Sequence, residues 1–179
     1  DAVYVAAPTY RHTELARMAA QEGKHVLICG PLADSLAQAH DLIDAFERQD
    51  LKLGMAYSAQ VDPAIRAARD LVRAGLLGEI VSVRMTSLEN VEEIWPKARK
   101  DGGGALMGQL LDQINAVHWV SGLEVEGVFA QYATLASSAD VDDTAALLLR
   151  YSNGAIGTGH AGLRIPGKGH KDADGPRIY

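Results

Sequence analysis

The sequence has one cysteine, Cys29, in 179 residues. That excludes an internal disulfide framework and fits a reducing compartment. It lacks a basic excess: the net charge is -6, which gives no electrostatic reason to bind nucleic acid or an acidic membrane face. It lacks an apolar run of the ~18 residues a membrane span needs. It lacks a basic-then-apolar opening segment, so the expected location is cytoplasmic. It lacks repeats, low-complexity tracts and paired Cys or His spacings, so no metal site is expected. What is present is ordinary for a globular chain, with 47% hydrophobic and 22% charged residues. The length suits one full domain or two partial ones. Asp1-Ala-Val-Tyr-Val-Ala-Ala-Pro8 reads as a buried strand from its first residue, and Arg177-Ile-Tyr179 stops within a strand. The chain therefore reads as a piece of a longer protein.

The first third alternates strands and helices. Val3–Ala7, His25–Cys29 and Lys52–Ala56 are short apolar runs between turn residues, as expected for parallel strands buried on both faces. A helix over His12–Glu22 carries Leu15, Met18 and Ala19 on one face and stops at Gly23. The next begins at a capping box, Ser35 with Gln38, and its stripe is Leu36, Ala39, Leu42, Ile43 and Phe46. Ligands of such sheets bind beyond the strands' carboxyl ends, here Ala7-Pro8-Thr9, Gly30-Pro31 and Tyr57-Ser58.

A third helix starts with Asp62 as N-cap and Pro63 at its first position, carries Ile65, Ala68, Leu71 and Val72, and ends at Gly75. The boundary between two domains falls near Tyr57–Asp62, giving 1–58 and 59–179. Glu79–Leu88 is an alternating strand. Gly102-Gly103-Gly104 leads into a long helix, Ala105–Ser121, closed by Gly122. Val125–Leu135 is a strand, and Thr144–Tyr151 with Ala155–Leu163 form a hairpin across Ser152-Asn153-Gly154. Gly167–Gly175 reads as an exposed loop. The fold class is α/β: a partial Rossmann parallel sheet, then an α+β domain with an open, largely antiparallel sheet.

Several segments, taken in order, resemble Gfo/Idh/MocA-family oxidoreductases: Asp1 to His12, Gly23-Lys-His-Val-Leu27, Gly30-Pro-Leu-Ala33, Asp62-Pro63, Gly78-Glu-Ile80, Gly102-Gly-Gly104, Trp119 with Gly122, and Asn153-Gly-Ala-Ile-Gly157. The resemblance implies NAD or NADP as cofactor, a sugar, polyol or related small cyclic substrate, and a homo-oligomer paired through the second domain's sheet. It also places the glycine-rich phosphate loop upstream of the strand that Asp1–Pro8 resembles. The pyrophosphate cradle and the ribose reader are then expected outside this sequence, and the 179-residue chain is expected to bind dinucleotide weakly.

The resemblance assigns candidate cofactor contacts to Ala7, Pro8, Thr9 and His12, and to Cys29, Gly30 and Pro31. The last three stand where the family has Glu-Lys-Pro, so both charged groups are replaced. A glycine supplies neither a general acid nor a cation. Read as residues alone, His12 is an exposed first-turn histidine and Cys29 a small apolar end to a buried strand. The family's Asp…His…Asp helix positions fall on Gly108, Asp112 and Asn115, which share one helix face at ~100° per residue. Asp112 is the candidate base and Asn115 the candidate orienter, against the plainer reading of both as solvated. His118 lies elsewhere on the helix and reads as structural. Gln60 replaces a family arginine. Two functions follow. One is an NAD(P)-dependent oxidoreductase with atypical catalytic residues. The other is a non-catalytic cofactor- or sugar-binding sensor or scaffold on the same fold.

Overall fold

A computed structural model describes residues 1–91 and 103–164, and the backbone of 175–178. Gly102 and most of the expected loop Gly167–Gly175 lie outside the described residues; Gly175 itself starts a strand. The chain forms two compact units, one over Asp1–Tyr57 and one from Ser58 onward.

In the first unit, β1 (Ala2–Val5), β2 (His25–Cys29) and β3 (Leu53–Ala56) pair in parallel in the order β1-β2-β3. Val3, Val26 and Leu53 stand in one row. The crossovers are α1 (Thr9–Gln21) and α2 (Leu36–Glu47). Ala16, Ala19 and Ala20 of α1 and Leu42 and Phe46 of α2 cluster with Val5, Val26 and Ile28. Each large apolar side chain so buried contributes about 1.5–3 kcal/mol.

The expectation of strands buried on both faces fails. Successive right-handed crossovers that step the same way along a sheet lay their helices on one face. The other face is bare, with the neighbours Tyr4 and Leu27 58% and 44% exposed. The stripe of α1 also differs. His12, Ala16, Ala19 and Ala20 turn inward while Met18 turns out. Helical spacing is kept, but by small side chains and one histidine. In α2, Ser35 Oγ accepts the Gln38 amide at 3.3 Å as expected, and Leu36 is exposed beside the cap.

The second unit opens with a 3₁₀ turn, Ser58–Gln60, and α3 (Pro63–Arg73). Asp62 Oδ1 caps α3 by accepting the Ala64 and Ile65 amides at 2.7 and 3.2 Å. Strands β4 (Ser82–Leu88), β5 (Val125–Ala133), β6 (Thr144–Tyr151), β7 (Ile156–Gly162) and β8 (Gly175–Ile178) form a sheet in the order β5-β6-β7-β4-β8. Only β4 and β7 pair in parallel. α4 (Leu111–Ser121) lies on one face, over Val83, Met85, Leu147, Leu149 and Tyr151. Arg69 of α3 stacks its guanidinium 4.1 Å from the Trp119 ring of α4.

The β6–β7 connection is a three-residue loop. Gly154 N donates to Tyr151 O, Gly154 takes φ +86°, and Tyr151 N donates to Ala155 O. That is a type I turn closed by a left-handed residue. Asn153 ties the turn down, donating to Ile80 O and accepting from Ala155 N.

Gly157-Thr-Gly-His-Ala-Gly162 has the glycine spacing of a phosphate loop but is strand β7. Its inward glycines make room for neighbours. A Cβ on Gly157 would stand 2.7 Å from Tyr151 Cε2, and one on Gly159 would stand 2.8 Å from Leu147 Cγ.

The expected helix Ala105–Ser121 is not regular. A π turn, Leu106–Leu110, precedes α4. It is anchored by Asp142, which is buried: Asp142 O accepts the Ala105 amide at 2.9 Å and Oδ2 accepts the Leu106 amide at 2.8 Å. Gly104 has φ +88°, and a Cβ there would collide with the Asp142 carboxylate.

Candidate functional site

Two groups of candidate residues are described, one in each unit. The first lies at the carboxyl ends of β1 and β2. Ala7, Pro8 and Thr9 are half-buried and carry the chain into α1. No side chain caps that helix and its first turn has no acid, so its leading N–H groups face the strand ends without a competing anion. Gly30 and Pro31 form the matching turn after β2, through a cis peptide.

His12 is 1% exposed. Its Nδ1 lies 2.7 Å from Pro31 O and its Nε2 2.7 Å from Ala7 O. Both ring nitrogens are thus committed to backbone oxygens of the two turns. Cys29 does not close a buried strand; its thiol is exposed on the bare sheet face. Its charge, and then their hydrogen bond, push the Tyr4 hydroxyl above the ordinary tyrosine value. Surface hollows run along the sheet's unpaired margins, one beside β1 with Tyr4 and Met18, another beside β3 with Phe46 and Met55.

The second group is on the π turn and α4. Gly108 is exposed, with open space where a side chain would stand. Asp112 stands on the exposed side of α4, yet partial burial pushes its carboxyl above the usual carboxylate range. Desolvation is the one cause of that shift. Asn115 is half-buried, and its Oδ1 accepts from Gln60 Nε2 at 3.4 Å. The backbone carbonyl of Gln60 accepts Arg66 Nε at 2.9 Å. The Gln60 side-chain amide thus donates to Asn115 Oδ1, leaving the Asn115 amide N–H groups to donate. His118 sits in the last turn of α4 with Nδ1 3.1 Å from Leu123 O, an end-capping role.

Two further residues went unseen in the sequence. Gln109 and Gln113 each hold a side-chain carbonyl oxygen out of solvent with no hydrogen-bond partner among the described residues, although Gln113 Nε2 donates to Thr86 O at 3.3 Å. Their i, i+4 spacing was the available signal, since glutamines one turn apart on a packed helix face need partners. Among the described residues no cluster of His, Cys, Asp or Glu could hold a metal ion, and no helix is long and apolar enough to cross a membrane.

Two family models match the chain. One, described as the GFO/IDH/MocA C-terminal domain, covers residues 65–176, and one described as an oxidoreductase family with an NAD-binding Rossmann fold covers 1–57. Levoglucosan dehydrogenase of Pseudarthrobacter phenanthrenivorans is 25% identical over 195 residues, covering 93% of this chain and 50% of that protein. The WlbA dehydrogenase of Bordetella pertussis, solved in complex with NADH and UDP-GlcNAcA, superposes with a TM-score of 0.86 at 25% identity, over 93% of this chain and 50% of that one. Aldose-aldose oxidoreductase of Caulobacter crescentus, solved with glycerol, gives 0.86 at 27% identity, over 92% and 51%. The chain spans about half the length of these relatives.

Proposed function

The chain belongs to the Gfo/Idh/MocA family of oxidoreductases, and we propose that it takes part in NAD- or NADP-dependent oxidation of a hydroxyl on a sugar, polyol or related cyclic substrate, with Asp112 as proton acceptor. The observation that carries the reading is the desolvated Asp112 carboxyl one helical turn from an Asn115 fixed by Gln60.

The residues of the first unit fit part of a nicotinamide nucleotide. The uncapped start of α1 at Thr9 offers backbone donors, and the turn at Gly30-Pro31 leaves no bulk beside it. When bound, the nicotinamide supplies a two-electron hydride acceptor. The chain's own work is then acid–base. As the substrate C–H hydride leaves, the hydroxyl oxygen becomes a carbonyl and its proton passes to the Asp112 carboxylate. The Asn115 amide donates to a neighbouring substrate oxygen and fixes which hydroxyl meets Asp112. Cys29 and Gly30, where the resemblance places Glu-Lys, supply no cation from the first unit.

The test is an Asp112→Asn variant in the gene product that contains this sequence, assayed for cofactor-dependent absorbance change with a panel of sugars and polyols. Loss of turnover with cofactor binding intact is expected; unchanged turnover sinks the assignment. The replacement of Glu-Lys by Cys29-Gly30 favours a second reading, a sensor or scaffold that binds without turnover. Tight nucleotide binding with no reaction across the panel marks that outcome.

We assign the bare face of the second sheet to self-association and the location to the cytoplasm. Phe129, Leu148, Thr158 and Arg84 form one row across that face, with Phe129 63% and Leu148 49% exposed. The apolar end of that row, Phe129 with Leu148, fits a second copy of the same surface.

A further inference from the structure

Gly108 sits where the backbone does not need a glycine. A glycine inside a helix weakens it relative to alanine, because the unfolded chain has more freedom to lose. Other glycines of this unit have a local reason to be there. Gly104 and Gly122 take φ of +88° and +72°, and Gly157 and Gly159 are hemmed in by Tyr151 and Leu147. Gly108 has neither reason. Its φ is not positive, and a Cβ built on it would meet no atom within 4 Å. An alanine would fit and would strengthen the turn. What the alanine would take away is open surface.

That surface is accessible and uncharged. Gly108 is exposed, and its neighbour Met107 is 43% exposed. From Gly103 to Leu111 no residue carries an ionisable side chain. Four residues after Gly108, about one turn along the same helix face, stands Asp112. Whatever rests on the bare backbone of Gly108 therefore lies beside the group that Asp112 meets.

We infer that Gly108 is a specificity-determining residue, whose missing side chain admits a bulky uncharged substituent of the substrate next to the hydroxyl that Asp112 serves. The inference rests on the proposed function, because Asp112 marks which part of the substrate arrives there. Charge selects the substituent. An anionic group would face the Asp112 carboxylate, like charge on like. A cationic group would pair with that carboxylate and hold it ionised against taking a proton. An acetamido group, an O-alkyl group or a second sugar ring meets neither difficulty, and Met107 offers it a polarisable apolar wall. With no Cβ in the way, such a group packs directly on the helix backbone.

The gene product that contains this sequence is assayed, by cofactor-dependent absorbance change, with matched pairs of sugars and cyclitols. Each pair is a parent compound and its O-methyl or N-acetyl derivative. The wild-type protein is expected to prefer a derivative over its parent in kcat/KM. Gly108→Leu fills the open space and is expected to cut that preference by about 10-fold or more, chiefly through KM. Gly108→Ala is expected to cut it less and to melt at a higher temperature than the wild-type protein. A preference that survives Gly108→Leu overturns the inference, and so does a wild-type protein that prefers every parent compound. If nothing in the panel is turned over, the same pairs are compared by ligand-observed NMR, with the same preference and the same loss expected in binding; binding by no member overturns the inference. Asp112→Asn separates the two readings. Should that variant keep full turnover while Gly108→Leu removes the preference, the proton role of Asp112 falls and the substituent site stands. Should Asp112→Asn abolish turnover while the preference survives Gly108→Leu, the proposed function stands and this inference falls.

Discussion

The ring of Tyr151 lies over Gly157, so close that a Cβ there would meet Cε2 at 2.7 Å, and its hydroxyl is buried without a hydrogen-bond partner among the described residues. The contact is paid for in polarity, because an unpaired buried hydroxyl costs about 1–3 kcal/mol. Tyr151→Phe is therefore expected to leave stability unchanged or to raise it by up to about 1 kcal/mol. Gly157→Ala is expected to cost about 1–3 kcal/mol, because the ring has nowhere to move in a packed core. Urea unfolding of both variants checks the pair. A Phe variant that loses stability would show that the hydroxyl has a partner.

The second prediction concerns the start of the long helix. Asp142→Ala leaves the half-buried Leu106 amide without its acceptor and is expected to cost about 1–3 kcal/mol. Asp142→Asn keeps an acceptor oxygen and costs less. Gly104→Ala meets both the positive φ and the carboxylate and is expected to be the most damaging of the three. Thermal melts rank them, and the ranking is the test.

Asp112 gives a third prediction with opposite signs for stability and activity. Partial burial raises its carboxyl in the folded state, so the folded chain holds that proton more tightly than the unfolded chain. Its stability contribution is full below the unfolded carboxylate value and is lost as pH rises through the raised one. Asp112→Asn should flatten that loss and leave the neutral-pH chain no less stable. Activity needs the ionised form, so kcat/KM should rise with pH across the same window, and the Asn variant should lose about 10²–10⁴-fold. Parallel pH profiles of unfolding and turnover read both.

Asp143 behaves in the reverse direction. It is fully buried, and burial alone would raise its carboxyl. The Leu135 and Ala136 amides at 2.9 and 2.8 Å, with Ser137 and Thr144, more than offset that and lower it. A lowered folded value stabilises above the unfolded value, and that stability disappears as pH falls through the lowered one. Asp143→Asn should unfold more easily at neutral pH and show a shallower acid transition by circular dichroism.

The fifth prediction addresses assembly. Leu148→Glu places a charge in the middle of the bare row on the second sheet. It is expected to shift the protein toward monomer in light-scattering chromatography while leaving its circular dichroism intact. An unchanged assembly would move the interface elsewhere.

The strand–helix order, the caps at Ser35 and Asp62 and the hairpin at Asn153-Gly154 were legible because each is local, and the parallel first sheet followed from that order through right-handed crossovers. Turn chemistry and apolar spacing act within a few residues. What escaped was non-local. The bare face of β1–β3 follows from the hand of two crossovers, not from the strands' composition, and the continuous apolar runs pointed the wrong way. His12 looked like an exposed first-turn histidine because its two partners, Ala7 and Pro31, are backbone oxygens on separate turns. The same holds in the candidate site. Asp112 and Asn115 could be paired by helical spacing, but the Gln60 contact and the unmatched oxygens of Gln109 and Gln113 depend on packing that spacing cannot report.

The π turn at Leu106–Leu110 amounts to one additional residue wound into a helix. The extra residue is taken up within the turn, so the helix after it keeps its bearing. Trimming a single residue from that turn would restore α geometry there and leave Asp112 and Asn115 aimed nearly as before. The turn is thus where this helix can change its length by one residue without re-aiming its polar face.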